Sequence, residues 1–221
     1  MNITRLHSID DFPEKKTALL FSGGLDSSAV AVLLLQNQMD VTLIAINNGA
    51  HKWFELAAQK AEYLMHNYPN SCRFKVLDSS YLFRELVIKQ LAKDVPQYGH
   101  LICCGCKLAM LAEAIIYCKT NNLRTIADGF KKVQNYYPEQ TPEFMNPTRL
   151  LAQQYGITLA HPVYEGYDQQ LEDIALSGNI PSSPIQPFCL FERNPIVGNT
   201  HVLPYVESKL AALREYIDSR I

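Results

Sequence analysis

The sequence predicts an α/β fold: a doubly wound, parallel five-stranded sheet with helices on both faces. Short apolar, often β-branched segments alternate along the chain with longer segments whose apolar residues recur at helical spacing. Strands that alternate with helices favour parallel pairing through crossover connections. The 221 residues, 48% of them hydrophobic, are enough for one domain with a buried core.

The first βαβ unit is the clearest part of this pattern. Residues 17–21 form a short apolar run that ends at a glycine pair, as expected of a buried parallel strand. Residues 27–35 continue as a helix, and residues 41–46 form a second strand closed by an Asn-Asn-Gly turn.

The later elements follow the same alternation over a single domain, residues 1–221, with a C-terminal loop-helix elaboration at about 165–221. We predict strands at 73–77, 124–127 and 156–160 and helices at 54–68, 80–91, 108–118, 167–176 and 205–220. The polar-aromatic stretch 136–149, interpreted as a substrate lid or a surface loop, and the proline-rich stretch 181–195 are predicted to be loops.

Charge and hydropathy indicate a cytoplasmic protein without membrane contact. The formal net charge of −2 provides no overall positive field for nucleic acid or an anionic membrane. Residues 1–16 contain no apolar core of a signal peptide, and the longest apolar run, 29–35, is far shorter than the roughly 20 residues of a transmembrane helix. Cysteines in such a protein are expected to be reduced.

The glycine turn between the first strand and the first helix has the composition of a phosphate-binding loop. Its members are Ser22, Gly23, Gly24, Asp26, Ser27 and Ser28. Backbone N–H groups at a helix N-terminus bind phosphate oxygens, the serines add hydroxyls, and the aspartate can hold Mg²⁺. The loop has neither a Walker ending nor GxGxxG spacing. The alternative is a capped surface turn.

This S-G-G-x-D-S-S segment resembles the signature of the PP-loop ATP pyrophosphatase superfamily, which has a HUP-like, Rossmann-type fold. The family includes tRNA thiolation enzymes, 7-cyano-7-deazaguanine synthases and synthetase domains of amidotransferases. The resemblance implies that the loop binds the pyrophosphate moiety of ATP and that backbone groups from Ala45 to Asn47 face adenine. It also implies cleavage of ATP to AMP and pyrophosphate, with an adenylated substrate.

Three of the six cysteines lie within four positions, at the start of a predicted helix. Cys103 and Cys106 form a C-x-x-C pair, and a helix N-terminus lowers thiol pKa values. Cys189 lies in a distant loop that can return to the same sheet edge. The pattern resembles that of PP-loop sulfurtransferases acting on tRNA bases, which implies a 4Fe-4S cluster held by these three cysteines. Cys104 is a rival ligand.

Other interpretations of the cysteines remain open. They are a zinc site with His100 as a fourth ligand, a catalytic persulfide pair such as Cys106 with Cys189, and buried structural thiols. Cys72 and Cys118 are expected to pack as small apolar residues.

One further candidate follows the fourth predicted strand. Asp128 and Gly129 lie where open α/β sheets bind ligands, although an ordinary turn is an equal alternative. Lys131, in the same loop, could neutralise departing pyrophosphate.

Together these features favour an ATP-dependent enzyme that adenylates a carbonyl oxygen of a nucleobase-like substrate and transfers or exchanges sulfur. Asp26, Cys103, Cys106 and Cys189 are its predicted catalytic residues. The expected partners are ATP, a small nucleobase-like substrate or tRNA, a sulfur donor protein, and a second copy in a homodimer. The alternatives are an amide- or nitrile-forming ligase related to 7-cyano-7-deazaguanine synthase and a non-catalytic adenine-nucleotide-binding module.

Overall fold

The computed structural model describes residues 12–52, 55–180, 188–191 and 199–221. Its strands are Lys16–Leu20 (β1), Asp40–Asn47 (β2), His51–Lys52 (β3), Cys72–Asp78 (β4), Thr125–Ala127 (β5), Thr158–Ala160 (β6) and Phe188–Cys189 (β7). Its helices are Leu25–Gln36 (α1), Glu55–Asn67 (α2), Ser80–Leu86 (α3), Leu91–Tyr98 (α4), Ile102–Thr120 (α5), Pro142–Gln154 (α6), Asp168–Ser177 (α7) and Val202–Asp218 (α8).

In the described residues, the main sheet has five parallel strands in the order β4-β2-β1-β5-β6. The predicted fold class is therefore confirmed. Since β1 is central and carries the glycine turn at its carboxyl end, the turn lies in the crevice where such sheets bind ligands.

Two apolar layers cover the two faces of the sheet. One contains Leu34 of α1 and Leu64 of α2 together with residues of α7, and the other contains Leu108 of α5 with residues of α3, α6 and α8. The inner strand β2 is buried along almost its whole length because both faces of the sheet are covered there, whereas the edge strand β4 is largely exposed. Among the described helices, none has both the length and the apolar character needed to cross a bilayer.

Two loop predictions are wrong. Within 136–149, α6 begins at Pro142, because a proline at the first helical position lacks an N–H that would be unpaired there anyway. Within 181–195, Cys189 belongs to β7, which pairs antiparallel with β3 so that Cys189 lies opposite His51. Strands of two residues leave no periodic pattern in a sequence.

Candidate functional site

The phosphate loop is tightly packed and internally bonded. Gly23 has φ +74°, and a Cβ at this position would lie 2.9 Å from the Cα of Ala57 in α2, so only glycine fits. The hydroxyl of Ser27 donates to the carbonyl oxygen of Gly24 at 3.2 Å. The hydroxyl of Ser28 is buried and has no hydrogen-bond partner among the described residues. A buried hydroxyl at a helix N-terminus fits a phosphate oxygen as its partner.

A buried lysine that the sequence did not indicate supports this loop. Lys60 of α2 is 7% exposed, and its Nζ donates to the carbonyl oxygen of Gly23 at 2.8 Å. Burial lowers the Lys60 pKa. No local pattern marks Lys60, because lysines on helices are usually solvated.

Asp26 is held by the loop that follows β5. Lys131, only 2% exposed, places its Nζ 2.8 Å from Asp26 Oδ1 and also pairs with Asp168 at the start of α7. Burial acts to lower the Lys131 pKa, but hydrogen bonds to the two carboxylates outweigh it and raise the pKa. Gln134 also donates to Asp26, at 3.3 Å. A permanent positive charge therefore lies beside the phosphate loop.

The predicted Asp128-Gly129 turn also lies beside the start of α1. A Cβ at Gly129 would lie 2.9 Å from the backbone nitrogen of Ser27, so the turn packs directly on the first turn of α1. Asp128 Oδ1 lies 2.8 Å from Nδ1 of His161, and the His161 ring stacks on Phe130. Burial acts to lower the His161 pKa, but the Asp128 carboxylate outweighs it and raises the pKa.

The predicted adenine contact, Ala45 to Asn47, lies at the carboxyl end of β2. Ala45 is buried. The Asn47 carbonyl oxygen accepts a hydrogen bond from the backbone of Ser79, and its side-chain oxygen accepts one from Gly49. These bonds fix the backbone at the edge of the sheet.

The cysteines of α5 differ in their surroundings. Cys104 is fully buried in the core, and a Cβ on Gly105 would collide with Tyr205 of α8 and with Val87. Cys103 and Cys106 are partly exposed. The structure thus packs the middle of the C-C-G-C segment inward and leaves the C-x-x-C pair accessible.

Cys106 and Cys103 lie near Cys189 and next to the end of β2. The side-chain amide of Asn48 donates to Cys106 Sγ at 2.9 Å. The thiols of Cys106 and Cys189 are both close enough to Cys103 to raise its pKa. The fold therefore brings the three predicted cysteines into one neighbourhood.

The thiols are not acidic, contrary to the expectation for a helix start. Burial raises the pKa of Cys103 to about 12 and that of Cys106 to about 11. Glu139 raises both further, and Lys107 opposes it. Desolvation is the largest of these effects on both thiols.

Glu139 is a second residue that sequence reasoning missed. Its Oε2 atom is buried without a hydrogen-bond partner among the described residues, and burial raises its pKa. A proline-flanked glutamate in a predicted loop gives no sign of burial, since that depends on α5 packing against the segment.

The thiols of Cys103, Cys106 and Cys189 are of the chemical type that binds an iron-sulfur cluster, because cysteine thiolates are the usual ligands of such clusters. Among the described residues, however, no three His, Cys, Asp or Glu side chains are arranged to hold a metal ion. His100, the fourth ligand of the zinc alternative, is exposed.

The structure is that of an α/β protein of Rossmann-like architecture with a Gly-Ser turn after its central strand. The chain belongs to a family of unknown function (DUF7411), whose model matches residues 15–132. That segment extends from the start of the first strand to the loop containing Lys131, and it includes the C-x-x-C pair. No curated protein sequence matches the chain.

Solved structures share its fold at low sequence identity. A predicted subunit of a tRNA methyltransferase from Methanocaldococcus jannaschii is 20% identical, with TM-score 0.54 over 73% of this chain and 75% of that one. An NMN synthetase from Francisella tularensis is 10% identical, with TM-score 0.58 over 96% and 87%. The U34-tRNA thiolase NcsA from Methanococcus maripaludis, solved with its [4Fe-4S] cluster, is 16% identical, with TM-score 0.56 over 97% and 76%.

Proposed function

We propose that the chain is a PP-loop enzyme that adenylates a carbonyl oxygen of a nucleobase-like acceptor and then replaces that oxygen with sulfur. One observation carries the proposal: Asn48, at the sheet edge that contains the phosphate loop, contacts Cys106 Sγ at 2.9 Å. Nucleotide chemistry and thiol chemistry are thus adjacent. The shared fold with a [4Fe-4S] tRNA thiolase supports the same function.

The first step uses the phosphate loop. The acceptor oxygen attacks the α-phosphorus of ATP, the bond to the β-phosphate breaks, and pyrophosphate leaves. The backbone N–H groups of the loop and the unpaired Ser28 hydroxyl bind the departing phosphates. Lys131 supplies positive charge, and Asp26 would hold Mg²⁺, which would neutralise charge on the phosphates.

In the second step a sulfide, delivered by a sulfur donor, attacks the activated carbon and AMP leaves with the former carbonyl oxygen. Cys103, Cys106 and Cys189 would hold the 4Fe-4S cluster, which supplies a binding site for sulfide when present. Glu139 Oε2, buried and unpaired beside these thiols, accepts the proton that sulfide loses.

A second function is favoured by Cys104, which is fully buried in the core and so packs as a structural thiol. It is an amide-forming PP-loop ligase in which the cysteines are structural. The shared fold with an NMN synthetase supports it.

Metal analysis separates the two functions. Protein reconstituted anaerobically with iron and sulfide is expected to bind about four iron and four sulfide per chain and to absorb broadly near 400 nm. Cys103→Ala, Cys106→Ala and Cys189→Ala are expected to lose the iron. Cys72→Ala, which removes a buried thiol away from the site, is the matched control and should retain it.

Activity on ATP tests the first step. Release of AMP and pyrophosphate with any acceptor supports both enzymes. Iron-free protein that forms AMP and amide products supports the ligase, and ATP binding without α,β cleavage under all conditions supports a non-catalytic module.

A further inference from the structure

A cavity is lined in part by Asn48, the residue whose side chain contacts Cys106. It has a volume of about 370 Å³ and lies between the turn after β2, helix α3 and Phe191. This volume is at the lower end of the range of roughly 300–1,000 Å³ for small-molecule sites. Gly49, at φ +77°, keeps the turn close to α3, since a Cβ there would lie 3.2 Å from the Cβ of Ser80.

The wall of the cavity is aromatic. The rings of Phe83 and Phe191 meet edge to face, with 6.0 Å between centroids, and the side chain of Tyr81 lines the cavity while remaining exposed. Aromatic side chains that line an open cavity favour a planar ring as the ligand, because such rings stack.

One cation lies at this wall. Arg84 is the one charged residue among the described residues that line the cavity, and its guanidinium carbon lies 5.7 Å from the centre of the Tyr81 ring. Its ion pair with Glu85 involves Nε, at 3.4 Å. A guanidinium has five N–H donors, so this pair leaves donors for an anion. The wall therefore offers a stacking surface and a single phosphate contact.

The cavity also lies next to the cysteines. Asn48 lines it and contacts Cys106, and Phe191 is two residues from Cys189. Under the proposed function the phosphates of ATP bind at the loop after β1. Adenine is uncharged. Neither part of ATP would therefore pair with the Arg84 guanidinium. RNA strands bind through several cations along the backbone, whereas the part of this wall that the structure describes has one.

We propose that this cavity binds the acceptor and that the acceptor is a free nucleoside monophosphate, with its ring against the aromatic wall and its phosphate on Arg84. The role of this ligand as the acceptor rests on the proposed function, whereas its binding in the cavity does not depend on that function.

Calorimetry on the full chain tests the proposal, with α,β-methylene-ATP present to fill the ATP site. Uridine 5′-monophosphate should bind at least about tenfold more tightly than uridine, because an ionic hydrogen bond to phosphate is added. Arg84→Gln should abolish that difference. Lys89→Gln is the control, because Lys89 also pairs with Glu85 and is similarly exposed but does not line the cavity, and it should retain the difference.

Several outcomes would overturn the proposal. Equal affinities for the nucleotide and the nucleoside, no binding of either, or an unchanged Arg84→Gln variant would each remove the phosphate site. Weaker binding of α,β-methylene-ATP to Arg84→Gln would assign the cavity to adenine. Tighter binding of the trinucleotide UpUpU than of the mononucleotide would assign it to RNA. This experiment measures binding of the mononucleotide. A negative result can therefore be distinguished from a failure of the proposed function, which would appear as absent iron or absent ATP cleavage.

Discussion

The region of the Gly-Ser turn and the cysteine region both lie at the carboxyl ends of the sheet strands but differ in how their charged groups are paired. In the first, Lys60 donates to the Gly23 carbonyl oxygen and Lys131 forms an ion pair with Asp26, while the Ser28 hydroxyl has no partner among the described residues. In the second, burial raises the pKa values of the partly exposed Cys103 thiol and of Glu139, whose Oε2 has no hydrogen-bond partner among the described residues. Buried polar groups that lack partners cost free energy unless something else pairs with them. The charged groups beside the Gly-Ser turn are thus paired within the chain, whereas the carboxyl group beside the thiols is not.

The largest effect is expected at the ion pair that defines the first region. Lys131→Met should lower kcat for AMP formation about 10²- to 10³-fold, because a charge beside the departing pyrophosphate is lost. Steady-state kinetics measures this, and Lys132→Met is the control, since Lys132 is exposed and pairs with Glu165. Equal losses in both variants would contradict a specific role for Lys131.

The second-largest effect is expected in the core contact between α5, which carries Cys103 and Cys106, and α8. Gly105→Ala should destabilise the protein by about 1–3 kcal/mol, because the added methyl group meets Tyr205 and Val87 in a filled core. Urea unfolding measures this. Gly156→Ala, which has no neighbour within 4 Å but a φ of +71°, should cost about 1 kcal/mol from backbone strain alone. A smaller cost at Gly105 than at Gly156 would show that α5 and α8 are loosely packed.

A smaller, pH-dependent effect is expected where the loop after β5 meets β6. The His161 pKa is raised above 6.5 in the folded protein, so the charged His161–Asp128 pair stabilises fully below pH 6.5 and loses that contribution as the pH rises through the folded pKa. Asp128→Asn should therefore cost about 1–2 kcal/mol at pH 6 and less at pH 9. Unfolding at both pH values checks this, and a cost that grows with pH contradicts it.

The smallest effect concerns the thiols themselves. Glu139→Gln should lower the pKa values of Cys103 and Cys106, because a carboxylate that opposes their ionisation is removed. The pH dependence of iodoacetamide labelling measures this. Glu143→Gln is the control, since its Oε2 is also buried without a partner among the described residues but is not among the groups that shift these cysteines.

Much of the fold could be predicted because local sequence patterns indicate its strands and helices. The run at β1 is mostly apolar, the run at β2 is apolar and β-branched, and the apolar residues of α2 recur at helical spacing. The polar-aromatic composition of the stretch 136–149 predicts a loop, but α6 begins within it at Pro142, and proline suits the start of a helix. The pairing of β3 with β7 could not be predicted, because two residues carry no periodicity and the partners are far apart in the chain.

The sequence by itself determined the chemistry that resides in neighbouring residues: a Gly-Ser turn between strand and helix, and two cysteines at a helix start. Only the tertiary structure decided that Lys131 binds Asp26, that Asn48 contacts Cys106, and that burial raises the thiol pKa values instead of lowering them. The physical reason is that desolvation and ion pairing depend on which distant segments pack together, whereas turns and helix starts depend on adjacent residues.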